Sequence, residues 1–153
     1  MRTAFFALSL AASTAFADVS PPVPATPSWV SQSEIEPLAR RYRLLRQRQK
    51  ALSPNERDAE LEKFGGAFHH SLEALGKAIG SGKWTRQELE RWMGAPDDEV
   101  HPSDPLWTGT PQKDRGSDGK VLLVYRWRGL HDYLYFVSDG KRVLRSGWYA
   151  ALE

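Results

Sequence analysis

His69 and His70 are adjacent, and Glu73 follows His69 by four residues. On a helix that spacing gathers two imidazole nitrogens and a carboxylate on neighbouring faces, a donor set for a divalent metal and, through a metal-bound water, for hydrolysis. The nearest further ligands along the chain are Asp97, Asp98, Glu99 and His101. No HExxH run or repeated ligand pair fixes a coordination geometry, so the sequence reads these as solvated helix residues, with no metal and no cofactor. Other chemistries lack their parts. Ser146-Gly147 has no glycine two residues before the serine, as a nucleophile elbow needs, and there is no cysteine nucleophile. Gly116, Gly119 and the lysines near them match neither a phosphate loop nor a dinucleotide fingerprint. The chain is read as a non-enzyme.

A second group can do recognition rather than catalysis. Arg40, Arg41, Arg43, Arg46 and Arg48 crowd one segment, and guanidinium groups fork onto phosphates and carboxylates. Two readings stand: contact with anionic lipid or lipopolysaccharide, or pairing within the chain with Glu56, Asp58, Glu60 and Glu62 on the next helix. Nucleic acid is excluded by the overall balance. Without Arg2 the chain carries 20 basic residues against 19 acidic ones, net +1.

Residue Arg2 opens a segment with the zones of an export signal: a basic start, an apolar run from Ala4 to Ala12, and Ala15-Phe16-Ala17 as an A-x-A cleavage site. Residues 1–17 are expected to be removed, leaving Asp18 first and the protein in the periplasm. The apolar run is shorter than the roughly 20 residues that span a bilayer, so the chain is not transmembrane. With no cysteine, disulfides are impossible and packing alone must stabilise the fold.

The elements that would position these groups follow from periodicity. Residues 18–32, with four prolines between Pro21 and Pro27, read as an extended lead-in to a single domain of residues 33–153. Ile35, Leu38, Tyr42, Leu45 and Leu52 make the stripe of a first helix. Ser53-Pro54-Asn55-Glu56 reads as the start of a second, carrying Leu61, Phe64, Phe68, Leu72, Leu75 and Ile79 across Gly65-Gly66 to Gly80. Thr85-Arg86-Gln87-Glu88 is a capping box for a short third helix that ends at Gly94. Residues 97–119 read as a surface loop pinned at Leu106 and Trp107.

From residue 120 the period becomes two. Lys120 to Arg128, His131 to Ser138 and Lys141 to Tyr149 read as three strands with two-residue turns at Gly129-Leu130 and Asp139-Gly140. The fold class is therefore α+β, with N-terminal helices on one face of a three-stranded antiparallel β-meander. Two tight turns fix the register, and the register sorts the faces. Val121, Leu123, Tyr125, Trp127, Leu134, Phe136 and Val143, with Arg145, fall on a core face. Leu122, Val124, Arg126, Arg128, His131, Tyr133, Tyr135, Val137, Arg142, Leu144, Ser146 and Trp148 fall on the other. Left wet, that second face has the composition of a protein-binding patch, with Arg126, Arg128, Tyr133, Tyr135, Leu144 and Trp148 as contacts for an envelope protein. The first helix or the lead-in covering it is the alternative.

Gly82-Lys83-Trp84-Thr85-Arg86-Gln87-Glu88-Leu89, Met93-Gly94-Ala95-Pro96-Asp97, Val124-Tyr125 and Tyr135-Phe136-Val137-Ser138-Asp139-Gly140-Lys141 occur in an order that resembles the SmpA/OmlA (BamE-like) domain over residues 74–150. The resemblance implies two helices on a three-stranded sheet, no catalytic site, and a role like that of outer-membrane lipoproteins assisting β-barrel assembly. Those lipoproteins carry a cysteine for lipidation, and this chain has none. Beta-lactamase inhibitor proteins share a similar architecture and bind through an aromatic sheet face, so inhibition of an envelope enzyme is the alternative function. A metal-dependent hydrolase ranks behind both.

Overall fold

The computed structural model describes residues 30–53, 55–105, 107, 119–130 and 132–150. The export signal and most of the lead-in lie outside them. The first helix, α1 (Gln32–Ala51), starts one turn earlier than the stripe suggests. Ser31 is the reason: its amide donates to Glu34 Oε2 at 2.7 Å and its hydroxyl to the same oxygen at 2.7 Å, a capping box unrecognised in the sequence. Val30 packs against the core just ahead of it, so the domain begins before residue 33.

The expected second helix is two helices, α2 (Ala59–Glu62) and α3 (Ala67–Ile79). Ser53 and Glu56 do form a turn, with the Glu56 amide on the Ser53 carbonyl at 2.9 Å. It goes no further, because Asp58 caps α2 instead by accepting from the Glu60 amide at 3.1 Å. The chain then breaks at Gly65, whose φ is +70°. Phe64, read as a core residue, is consequently 73 % exposed. The short third helix appears as α4 (Arg86–Met93), capped by Thr85 and closed by Gly94 at φ +76°.

The sheet has four antiparallel strands in the order β1 (Asp98–Val100), β2 (Val121–Arg128), β3 (Asp132–Ser138) and β4 (Val143–Tyr149). Strand β1 falls inside the segment read as loop; it pairs Asp98 with Val124 and Val100 with Leu122. The β2–β3 register is the one a two-residue turn dictates, from Arg126 opposite Tyr133 to Val121 opposite Ser138, with a bulge at Trp127.

The β3–β4 register is not. The Asp139 carboxylate accepts the amides of Lys141 at 2.9 Å and Arg142 at 2.7 Å, closing a wider turn over Gly140 at φ +89°. Ser138 then pairs with Val143, a bulge follows, and Phe136 pairs with Ser146 instead of Val143. That odd slip turns Ser146 and Trp148 to the helix side and Arg145 to the far side.

Two cores result. Helices α1, α3 and α4 cover one sheet face, burying Ile35, Tyr42, Phe68, Leu72, Trp92, Leu123, Tyr125, Phe136 and Val143. Helix α3 comes close to β3 and β4 because Gly76 and Gly80 have no side chains: a Cβ on Gly76 would lie 2.8 Å from Leu134, and Ser146 donates to the Gly76 carbonyl at 2.7 Å. On the other face Leu122, Val124, Tyr133, Tyr135 and Val137 bury with Val100 and Trp107, flanked by Leu144 and Tyr149. Trp107 is thus the pin foreseen for the segment, whereas Leu106 lies outside the described residues. Among the described residues no helix is long and apolar enough to cross a membrane.

Candidate functional site

The wet aromatic sheet face does not exist. Tyr133 is 2 % exposed and Tyr135 1 %, and Leu144 packs beside them as part of the second core. Tyr133 stacks on Tyr149 at 5.1 Å between ring centroids, which the slipped register makes possible. Trp148 points the other way, into the helix-side core. Arg126 and Arg128 have carboxylate partners that the sequence did not reveal. Asp98 on β1 accepts from Arg126 Nε at 2.8 Å and forms an ion pair with its Nη2 at 2.6 Å, and Asp132 pairs with Arg128, whose guanidinium also lies 4.7 Å over the Trp127 ring. Each of these two guanidinium groups keeps a carboxylate, which answers most of the physical objection to burial; Arg126 Nη1 is the exception, buried without a hydrogen-bond partner. His131 lies outside the described residues.

The five arginines of α1 divide. Arg46 is 7 % exposed and donates to the Tyr42 hydroxyl, to the Ala95 carbonyl at 2.8 Å and to Asp97 at 2.8 Å. Arg43 pairs with Glu36 at 3.1 Å and donates to the Trp92 carbonyl at 3.0 Å. Arg48 meets Asp58 at 2.5 Å and Glu60 at 3.1 Å, the pairing with the following helix expected as the alternative to lipid. Arg40 and Arg41 form no ion pair or hydrogen bond among the described residues. They are exposed, and with Ser33, Glu36, Pro37 and Leu44 they line an open groove of about 520 Å³. Leu44 lies off the buried stripe and is 63 % exposed.

The histidine pair occupies the first turn of α3. His69 is buried, His70 is exposed, and Glu73 is half-buried one turn on; one ligand atom from each lies within 4.8 Å of the others. Phe64, Trp127 and Trp148 surround the His69 ring at centroid distances of 4.5, 4.7 and 5.1 Å. Its Nδ1 is buried with no hydrogen-bond partner, a state that costs about 1–3 kcal/mol. Burial among these rings holds the imidazole below its ordinary pKa. Glu73 is held below the usual carboxylate range, chiefly by Lys77, which donates to it at 2.8 Å. The acids named as further ligands are engaged elsewhere: Asp97 with Arg46 and Lys50, Asp98 with Arg126, and Glu99 with Arg86 at 2.6 Å. They hold the fold together around β1 and do not approach the pair.

No family model, curated protein or solved structure matches this chain.

The sequence did not single out Leu44, and it gave Phe64, Trp127 and Trp148 other roles than surrounding His69. Leu44 could have been found as the leucine outside the stripe. The grouping of Phe64, Trp127 and Trp148 carries no local signal, because it depends on the break at Gly65 and on the slip of β4.

Proposed function

We propose that this protein is an exported, non-catalytic binding module of the cell envelope, and that it docks a protein partner on the outer face of α1. One observation carries the reading: among the described residues, Arg40 and Arg41 have no ion pair or hydrogen bond, and Leu44 beside them is exposed. A leucine flanked by two uncommitted guanidinium groups along a groove suits an acidic segment that inserts one apolar side chain, with bidentate contacts to its carboxylates.

Magnitudes favour a protein over a lipid surface. Anionic lipid contributes about 1 kcal/mol per Lys or Arg near the membrane, and stable attachment draws on clusters of about 4–8 such residues. With Arg43, Arg46 and Arg48 committed internally, two unpaired arginines fall short of that. Inhibition of an envelope enzyme drew on the aromatic sheet face and lacks that surface. The resemblance to the SmpA/OmlA domain and the A-x-A site support an envelope location and a role in assembly rather than catalysis. The four helices and four strands among the described residues exceed the two helices and three strands that the resemblance implies.

The test is a photo-crosslinking residue at position 44, activated in intact envelopes. An adduct with one protein is expected, together with a mature chain whose mass begins at Asp18. Arg40→Glu with Arg41→Glu should weaken the affinity of that purified partner by about 10-fold or more, as for paired rim and anchor charges at an interface. Labelling of lipid alone, or an affinity untouched by the charge reversal, overturns the reading.

A further inference from the structure

We propose that His69, His70 and Glu73 form a binding site for a divalent transition metal of borderline softness, of the Zn²⁺ class. The three residues share two turns of α3, His69 to Glu73 at i,i+4 and His70 to Glu73 at i,i+3, and their ligand atoms already converge to within 4.8 Å. Convergence alone is common on helix surfaces, and what distinguishes this set is His69. Its ring is buried, its Nδ1 has no partner, and the groups packed around it are rings: Phe64, His70, Trp127 and Trp148. A histidine held by stacking alone can turn to present a nitrogen without breaking a hydrogen bond. The aromatic wall also lowers the local dielectric, which strengthens a cation's bond to a fixed ligand.

The other two ligands supply the adjustment. Tetrahedral coordination at about 2.0–2.1 Å needs donor atoms closer together than they stand here. The side chains of His70 and Glu73 are 64 % and 36 % exposed, so both can swing inward. Two imidazole nitrogens and one carboxylate oxygen suit Zn²⁺, Cu²⁺ or Ni²⁺; Mg²⁺ and Ca²⁺ prefer oxygen cages. Three protein ligands leave a fourth position open on the side of His70 and Glu73, where water or a partner's side chain can enter. The opposing contact is Lys77, whose ammonium holds Glu73 Oε1 at 2.8 Å while Oε2 faces His70 Nδ1 at 3.6 Å, and its charge repels a bound cation. Lys77 therefore makes a specific prediction, since its removal frees a ligand and takes away a positive charge.

The experiment is calorimetric titration of the tag-free, full mature chain with ZnCl₂, with MgCl₂ and CaCl₂ in parallel. One equivalent of Zn²⁺ is expected to bind, and neither hard cation. His70→Ala and Glu73→Gln, both at exposed or half-exposed positions, should each weaken binding by at least the roughly 10- to 100-fold that loss of a supporting partner costs. Lys77→Ala should tighten it. His69→Ala is the fourth variant, and circular dichroism establishes that it is folded; if it does not fold, His69→Gln replaces it. Absence of Zn²⁺ binding overturns the proposal, and so does binding that His70→Ala and Glu73→Gln leave unchanged, which would place the metal elsewhere, such as at His101.

Discussion

Arg46 lies in a place where a guanidinium is costly, and the structure accounts for each of its contacts. Its donors reach Tyr42, Ala95 and Asp97, while the rings of Tyr42 and Tyr125 lie 5.7 and 5.2 Å from its central carbon. Asp97 in turn accepts the Arg126 amide at 2.9 Å, so one side chain couples α1, the segment after α4 and β2. Burial pushes the Tyr42 and Tyr125 hydroxyls well above the ordinary tyrosine range, so both stay neutral donors and acceptors around the cation. Arg46→Met should therefore destabilise by about 3 kcal/mol, the lower end for breaking a buried pair, because Asp97 is partly solvated and keeps Lys50 at 3.5 Å. Adding Asp97→Asn should recover part of the loss by removing a carboxylate charge that is left with only the more distant Lys50. Urea midpoints of the two variants check this, and equal loss in the single and double variants would show that the ion pair is not what matters.

Helix α4 shows what local sequence can specify. The Thr85 amide donates to Glu88 Oε2 at 2.9 Å and the Glu88 amide returns to the Thr85 hydroxyl at 3.2 Å, as the four-residue pattern requires. Thr85→Ala should cost about 1 kcal/mol. The same contacts give a pH signature. The Thr85 amide, followed by its hydroxyl and the nearby Arg91, holds the Glu88 carboxyl below its ordinary 4.5. The folded state thus binds the proton less readily than the unfolded chain, so this contribution is complete above 4.5 and is lost as pH falls through the folded value. Glu88→Gln should flatten the acid limb of the stability curve, read as urea midpoints from about pH 6 to 3. An unchanged limb would mean that the box does not form in solution. The elements that were not legible needed information from elsewhere in the chain. Strand β1 is three residues, two of them acidic, with no alternation to read; Asp98 and Glu99 answer arginines on β2 and α4. The slip of β4 was decided by one carboxylate capturing two amides at Asp139, a choice that the Asp-Gly pair does not announce. The spacing of His69, His70 and Glu73 was visible, but their aromatic surroundings depended on that slip of β4 and on the break at Gly65.

At the scale of the molecule, the sheet is closed on both faces, which separates residues that hold the fold from residues free to recognise something. Tyr135 belongs to the first class: it sits in the second core with its ring over Gly147, where an added Cβ would collide with it. Arg40 and Arg41 belong to the second, since nothing among the described residues depends on them. Tyr135→Ala should accordingly cost about 3 kcal/mol or more, the range for deleting a buried aromatic ring, and the fraction that remains folded should bind the partner as wild type does. Reversing Arg40 and Arg41 should do the opposite, leaving the urea midpoint within about 0.5 kcal/mol of wild type while weakening the partner's affinity. The two variants together form a crossed experiment, because stability and binding respond to different residues if the far face is interior. Should Tyr135→Ala leave the midpoint where it was and abolish binding, the tyrosine face is open in solution, and recognition belongs to the sheet rather than to α1.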